Sequence, residues 1–127
     1  MVPLIVLAED HAELRSLLTS ALEGSGYDVV PVGTGAHLLG AIARLRGEGR
    51  VPTLVISDVR MPTLGGIEAA RTLRATGDRV PLILMTAYGD TWTRRQAESV
   101  DAMLLDKPVR IAVFRDAVAR ALLTSAA

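Results

Sequence analysis

Short apolar runs alternate with longer amphipathic segments along the whole chain. The first, third and fourth runs are almost continuously apolar and rich in β-branched residues, which is typical of parallel strands buried on both faces. The second run contains Asp28 and Pro31, which an edge strand tolerates. The pattern predicts five strands, over residues 4–8, 27–32, 54–57, 82–85 and 102–105.

Apolar residues at helical spacing fill the segments between these runs. Leu14, Leu18 and Leu22 share one face of a first helix, which the glycines at 24 and 26 end. Thr34 and Asp90 are placed to cap the second and fourth helices. The second helix is predicted to end near Gly47. The third is predicted to begin at Gly65 and Gly66 and to end before Gly77. The fifth is predicted to begin near Arg110 and to run to the C-terminus.

A strand followed by a helix is therefore repeated five times. Crossovers of this kind are right-handed and give a parallel sheet with helices on both faces, an α/β doubly wound fold. The sequence shows no linker, low-complexity stretch or repeat. We expect a single domain over residues 1–127, with no second domain visible.

Composition narrows the function classes. The 127 residues suit one domain with its own core, and the absence of cysteine excludes disulfides, zinc-cysteine sites and thiol nucleophiles. Fourteen basic side chains balance fourteen acidic ones, which argues against a general binder of nucleic acids or anionic membranes. No signal peptide or run of about 18 apolar residues is present, so a cytoplasmic protein is expected. Thirteen of the bases are arginine, and Lys107 is the only lysine.

Polar residues fall at the ends of four predicted strands: Glu9 and Asp10, Asp58, Thr86, and Lys107. In an open α/β sheet, ligands bind beyond the carboxyl ends of the strands, so these side chains are expected at one edge. Each of them alone also fits an ordinary cap, turn or strand residue. Their coincidence at four strand ends favours a functional site.

The residue types indicate the chemistry of that site. Three crowded carboxylates repel one another, and a hard divalent cation, Mg²⁺ or else Mn²⁺, would relieve the repulsion. A hydroxyl and an ammonium nearby would bind phosphoryl oxygens. A carboxylate in such a site can attack phosphorus and form an aspartyl phosphate.

At this point the sequence resembles the receiver domain of two-component response regulators, over nearly the whole chain. Residues 58–68 are similar to the phosphoacceptor stretch of that family, with Asp58, then Met61 and Pro62, then a glycine pair before Glu68. Residues 82–87 and the Lys107-Pro108 step match two further blocks. The resemblance implies the flavodoxin-like strand order 2-1-3-4-5.

The resemblance also implies the role of each residue. Asp58 would take a phosphoryl group from a phosphohistidine of a histidine kinase or phosphotransfer protein. Asp10, Asp58 and the backbone carbonyl of Arg60 would hold Mg²⁺, with Glu9 assisting. Thr86 and Lys107 would contact the phosphoryl oxygens. The protein would be a switch that hydrolyses its own phosphate slowly rather than a turnover enzyme, and helix four, strand five and helix five would bind a downstream protein target.

The chain departs from the family pattern at positions expected to tune the switch. Leu104 stands where Tyr or Phe is common, so coupling from Thr86 to a switch aromatic is in doubt. Arg60, Ala87 and Tyr88 flank the site, and Tyr88 is either a gate over it or an ordinary loop residue. Trp92, the only tryptophan, is expected to pack at the rim of the core. The loop before strand five is expected to differ, because residues 99–101 read Ser-Val-Asp.

Other functions stay open on the sequence alone. The missing switch aromatic leaves room for a binding module that works without phosphorylation. A phosphatase resembling the haloacid-dehalogenase group would need an aspartate at position 60, where the chain has Arg60. Residues 85–90 resemble receivers of hybrid histidine kinases and nitrogen-regulation-type transcription factors, so the chain is also interpretable as a receiver excised from such a protein.

Overall fold

A computed structural model describes residues 2–126, with side chains through residue 124. Strands and helices alternate as predicted, and each predicted strand lies within one residue of its observed limits. The strands are β1 Leu4–Ala8, β2 Asp28–Val32, β3 Leu54–Asp58, β4 Leu82–Thr86 and β5 Ala102–Asp106; the helices are α1 Ala12–Gly24, α2 Gly35–Gly47, α3 Gly66–Ala75, α4 Thr91–Ser99 and α5 Ile111–Ala126. Residue 127, to which the fifth helix was predicted to run, lies outside the described part.

All paired strands run parallel, in the order β2-β1-β3-β4-β5. Strands β1, β3 and β4 are buried along their whole length, as their apolar sequences require. Strand β2 lies at an edge, where Asp28 and Pro31 are exposed. The doubly wound, flavodoxin-like fold predicted from the sequence is confirmed.

Side chains of each strand alternate between the two faces of the sheet, and each face has its own core. Leu4 and Val6 pack with apolar residues of α2, α3 and α4. Ile5 and Leu7 pack on the other face with residues of α1 and α5. Because helices cover both faces of the sheet, its polar side chains are accessible at the carboxyl ends of the strands. No helix within residues 2–126 has the length and apolar character needed to cross a bilayer.

Two predicted helix caps are confirmed by hydrogen bonds. Thr34 accepts the backbone N–H of His37 at 3.0 Å, and Asp90 accepts that of Thr93 at 2.8 Å. His11 occupies the N-cap position before α1 and makes no side-chain capping bond. Asp58 and Thr86, expected just after their strands, are the last residues of β3 and β4, because their backbones still pair with Met85 and Asp106.

Candidate functional site

The carboxyl ends of β1, β3, β4 and β5 converge on one cluster of polar side chains. Carboxylate oxygens of Glu9, Asp10 and Asp58 all lie within 4.8 Å of one another. The Nζ atom of Lys107 lies 2.9 Å from Glu9 Oε1 and 2.6 Å from Asp58 Oδ1. Thr86 ends β4 beside them and is 3% exposed. All five residues predicted from the strand ends therefore meet at one edge.

Glu9 is fully buried and held by several donors. Its Oε2 atom accepts the backbone N–H of His11 at 2.9 Å, while its Oε1 atom accepts the Lys107 ammonium. Burial raises the pKa of Glu9. The neighbouring Asp58 carboxyl and these two donors outweigh burial, so the pKa of Glu9 lies below its usual value. Glu9 is thus the ionised partner of Lys107.

Asp58 differs from Glu9 in its hydrogen bonding and in the direction of its pKa shift. It is 2% exposed, and neither of its carboxylate oxygens accepts a hydrogen bond from any residue in the described part of the chain. The Lys107 ammonium lies 2.6 Å from Oδ1 and forms an ion pair with it. Burial, followed by the Glu9 carboxylate, raises the pKa of Asp58 to about 8, although Lys107 opposes both effects. Two open acceptor atoms in a buried carboxylate require an explanation in a native fold.

A hard cation fits this arrangement. Asp10 is the exposed member of the carboxylate cluster, so the site opens to solvent on its side. Three carboxylates supply oxygen ligands of the kind that Mg²⁺ takes, and Mg²⁺ keeps several waters beside one or two protein carboxylates. No N–H group within residues 2–126 donates to the backbone carbonyl of Arg60, which leaves that oxygen free as well.

A pair of glycines allows the chain to turn directly behind Asp58. The backbone N–H of Gly66 donates to Val59 O at 3.0 Å as α3 begins. A Cβ atom at position 66 would lie only 2.1 Å from the carbonyl oxygen of Asp58. At position 65 it would lie 2.6 Å from the carbonyl oxygen of Val59. Only glycine permits this close approach, which holds the end of β3 against the start of α3.

Thr86 connects the site to the segment between β4 and α4. Its Oγ1 atom accepts the backbone N–H of Tyr88 at 3.0 Å, and its carbonyl oxygen accepts the N–H of Lys107 at 2.7 Å. Farther along, Asp106 forms an exposed ion pair with Arg94 of α4 at 3.0 Å. The hydroxyl, the lysine and the loop before α4 are therefore joined by direct contacts.

Arg60 and Tyr88 cover the mouth of the site. The Arg60 guanidinium stacks over the Tyr88 ring, 4.5 Å from its centroid. A small cavity of about 90 Å³ lies below them, lined by these two residues together with Asp58, Met85, Thr86, Ala87 and Lys107. Tyr88 is 60% exposed, so its ring lies at the surface and not in the core. Tyr88 therefore borders the site, and both interpretations of it, a gate and an ordinary loop residue, stay open.

Two departures from the family pattern are also visible. Leu104 is half-buried and packs against the core on the side of α2, α3 and α4. Asp101 adopts a left-handed backbone conformation, with φ of 55°, at the loop before β5. Aspartate tolerates this region better than most residues. Whether the loop differs from that of other family members stays a prediction.

Trp92 contradicts the expectation that it packs at the rim of the core. Its side chain is 63% exposed. The buried positions of α4 are Thr93 and Ala97, one turn apart, so Trp92 lies about 100° around the helix from the buried face. It borders a groove of about 480 Å³ that is also lined by Arg60 and Met61.

Comparison with known proteins shows the family to which the chain belongs. The family described as the response regulator receiver domain matches residues 5–119. The DNA-binding response regulator MtrA of Mycobacterium tuberculosis is 38% identical over 87 residues, which are 68% of this chain and 36% of that protein. The sporulation initiation phosphotransferase F of Bacillus subtilis is 28% identical over 115 residues, 90% of this chain and 89% of that protein. The chain thus spans about a third of the length of the mycobacterial regulators it matches.

Solved structures show the same fold. The chemotaxis protein CheY4 of Vibrio cholerae has a TM-score of 0.85 at 21% identity, covering 95% of this chain and 99% of that one. A CheY-like response regulator receiver domain protein of Methanospirillum hungatei has a TM-score of 0.87 at 20% identity, covering 98% and 97%. With the family match over most of its length, the chain belongs to the response regulator receiver domains of two-component signalling.

Proposed function

We propose that Asp58 is the phosphoacceptor of this receiver domain, which comprises residues 1–127. The observation that carries the proposal is a buried carboxylate with both oxygens open and a lysine Nζ at 2.6 Å. Desolvation keeps the carboxylate free of competing water, and Lys107 offsets the charge that gathers on an incoming phosphoryl group.

The carboxylates of Asp10 and Asp58 and the Arg60 carbonyl would hold Mg²⁺, with Glu9 assisting. The bound ion would neutralise charge on the phosphoryl oxygens. In the transfer step an Asp58 oxygen forms a bond to phosphorus while the bond from phosphorus to the donor's imidazole nitrogen breaks. The electron pair of that bond leaves with the imidazole, and the product on the protein is an acyl phosphate.

Thr86 and Lys107 would bind the transferred group. The Thr86 hydroxyl already accepts the Tyr88 N–H, so its own hydrogen is free to donate to a phosphoryl oxygen. The Lys107 ammonium would exchange part of its contact with Asp58 for a second phosphoryl oxygen. These residues position and neutralise charge, and the protein acts as a switch rather than as a turnover enzyme.

Arg60 and Tyr88 would set the lifetime of the phosphorylated state. Hydrolysis requires water in line with the bond to Asp58, and the stacked pair would narrow the small cavity beside that position, which both residues line. Ala87 leaves this approach narrow but open, since it has no long side chain. Leu104 has no hydroxyl to bind Thr86, so the signal would leave through the Tyr88 backbone instead of through a switch aromatic.

The phosphodonor would be a histidine kinase or a phosphotransfer protein, and the downstream target a protein that binds the face of α4, β5 and α5. The names of the relatives include a phosphotransferase and DNA-binding regulators. Zero net charge makes direct binding of this domain to nucleic acid or to an anionic membrane unexpected. Action in the cytoplasm, where such donors present their phosphohistidine, fits this function.

Labelling with a small phosphodonor tests the proposal. Incubation with acetyl phosphate and Mg²⁺ should add one phosphoryl group to the wild type, seen as one mass increment in the intact protein. Asp58→Asn should not be labelled, whereas Asp116→Asn, which removes an exposed carboxylate of α5, should be labelled normally. Equal labelling of Asp58→Asn would show that the phosphoacceptor is another residue.

The lifetime role of the stacked pair needs a separate measurement. Phosphorylated Tyr88→Ala and Arg60→Ala should lose their label faster than the wild type after the donor is removed. Arg95→Ala, an exposed arginine of α4 outside the cavity, should match the wild type. Unchanged decay in both site variants would exclude the shielding role while leaving Asp58 as the phosphoacceptor.

A further inference from the structure

Arg15, at the end of the first turn of α1, reaches back to the backbone of Glu9. Its Nη1 atom donates a hydrogen bond to the backbone carbonyl oxygen of Glu9 at 2.9 Å. The side chain is half-buried, although a cation on an amphipathic helix would ordinarily be solvated. The sequence pattern assigns it no role, because it lies outside the strand ends and off the apolar stripe of α1.

The backbone of Glu9 is held at both of its polar groups. The N–H donates to the carbonyl oxygen of Val32 in β2 at 3.0 Å, and the carbonyl accepts from Arg15. The carbonyl of Glu9 belongs to the same planar peptide group as the N–H of Asp10. Fixing that carbonyl therefore fixes the direction in which the chain leaves Glu9 and enters Asp10.

Asp10 depends on this peptide group for its orientation. Its side chain is exposed, and no donor within residues 2–126 forms a hydrogen bond with its carboxylate. Glu9 and Asp58, in contrast, are buried and contact Lys107 directly. Of the three carboxylates in the cluster, Asp10 is the one without a side-chain partner to orient it.

Gly33, directly after β2, leaves room for the Arg15 guanidinium. A Cβ atom at Gly33 would lie 3.1 Å from Arg15 Nη1 and 4.0 Å from its Cζ atom. A Cβ atom at position 33 would therefore crowd the guanidinium, which would have to shift by a few tenths of an ångström. A larger side chain such as valine would crowd it further.

We propose that Arg15 is a positioning residue for the cation site, which it orders through the peptide group between Glu9 and Asp10. This inference rests on the proposed Mg²⁺ site. Positioning by Arg15 would raise the affinity for Mg²⁺. Its positive charge would lower that affinity, since a cation near the carboxylates repels a second cation. The sign of the change on removing Arg15 therefore separates positioning from simple electrostatics.

A Mg²⁺ titration followed by backbone amide shifts in NMR measures the affinity without any phosphoryl transfer. Arg15→Met should raise the dissociation constant for Mg²⁺ by about tenfold, as expected for a partner that orients a ligand. Arg15→Lys keeps the charge and one donor, and it should recover part of the affinity. Arg44→Met, which removes an exposed arginine paired with Glu48 on α2, should leave the affinity unchanged.

Gly33→Val provides a test that keeps Arg15 in place. It should weaken Mg²⁺ binding by displacing the guanidinium, and it decides the question if Arg15→Met fails to fold in EDTA. Wild-type protein that binds no Mg²⁺ would overturn the cation site itself. Wild-type protein that binds Mg²⁺, with equal or tighter binding in a folded Arg15→Met or in Gly33→Val, would overturn the positioning role alone.

Discussion

At the scale of single residues, the site contains two carboxylates with opposite roles. Glu9 is stabilised as an anion by the donors around it, whereas Asp58 is buried with both oxygens open. Buried carboxylates with a strongly raised pKa cluster at functional sites, which supports the proposed role of Asp58. The strand ends predicted that these residues meet, but they did not show which carboxylate is satisfied, because that depends on donors from the backbone of His11 and from Lys107.

Replacing the buried carboxylate should stabilise the protein. In EDTA at pH 8, Asp58→Asn should raise the free energy of unfolding by about 1 kcal/mol or more, because burial and the Glu9 carboxylate disfavour the Asp58 anion by more than the nearby Lys107 favours it. Lys107 keeps the Glu9 carboxylate as its partner in this variant. The pKa of Asp58 in the folded state, about 8, lies above its usual value of 3.8. The stability that its protonated form contributes is therefore present below about pH 4 and lost as the pH rises towards 8.

The advantage of Asp58→Asn should consequently be smaller at pH 5 than at pH 8. Urea unfolding of both proteins at the two pH values measures the difference. A constant difference between pH 5 and pH 8 would show that the carboxylate does not titrate in this range.

Lys107 is the single lysine among thirteen arginines, and its environment explains the exception. Its compact ammonium contacts two carboxylates at 2.6 and 2.9 Å, a geometry that a planar guanidinium cannot copy. Lys107→Arg should fold and keep the net charge, yet it should lower the phosphorylation rate by about tenfold, or ~1.4 kcal/mol in the barrier. Arg115→Lys, an exchange on the exposed face of α5, is the control. Unchanged labelling and an unchanged conformational response in Lys107→Arg would make the lone lysine a compositional accident.

At the scale of elements, local sequence signals predicted helix caps as well as the ends of strands. Thr34 and Asp90 cap α2 and α4 as predicted, because the preference of these residues for the N-cap is local. The exposure of Trp92 was predicted wrongly, since α4 has no clear apolar stripe and buries only Thr93 and Ala97. The stacking of Arg60 on Tyr88 joins two loops that are far apart in sequence, and no local pattern predicts it.

The start of α3 depends on glycine at one close contact. Gly66→Ala should lower the free energy of unfolding by more than about 2 kcal/mol, because its Cβ atom would lie 2.1 Å from the Asp58 carbonyl. Gly40→Ala, in the middle of α2 with nothing within 4 Å of the added atom, should instead raise it by about 0.5–1 kcal/mol. Denaturant unfolding compares the two. Equal effects would mean that the contact behind Asp58 relaxes freely.

At the scale of the whole molecule, contacts lead from the site to the face of α4 and β5. Thr86 binds the backbone of Tyr88 and Lys107, and Asp106 binds Arg94. We propose that these contacts carry the signal without an aromatic residue at position 104. The order of strands, predicted from the resemblance, determines this route because it places β4 beside β5.

A phosphate mimic should therefore alter the distant face. Beryllofluoride with Mg²⁺ should change amide hydrogen exchange in α4, in β5 and in the segment between β4 and α4, with little change in α2. Asp58→Asn should show no response under the same conditions. A wild-type protein that binds the mimic without any change in α4 or β5 would be a passive binding module.

The chemical location of the phosphoryl group tests the central claim most directly. Borohydride reduces an acyl phosphate of aspartate to homoserine, which peptide mass spectrometry locates in the sequence. After phosphorylation with acetyl phosphate and Mg²⁺, the account predicts homoserine at position 58 and at no other carboxylate. Homoserine at position 10, or a phosphorylated protein in which residue 58 remains aspartate after reduction, would contradict it.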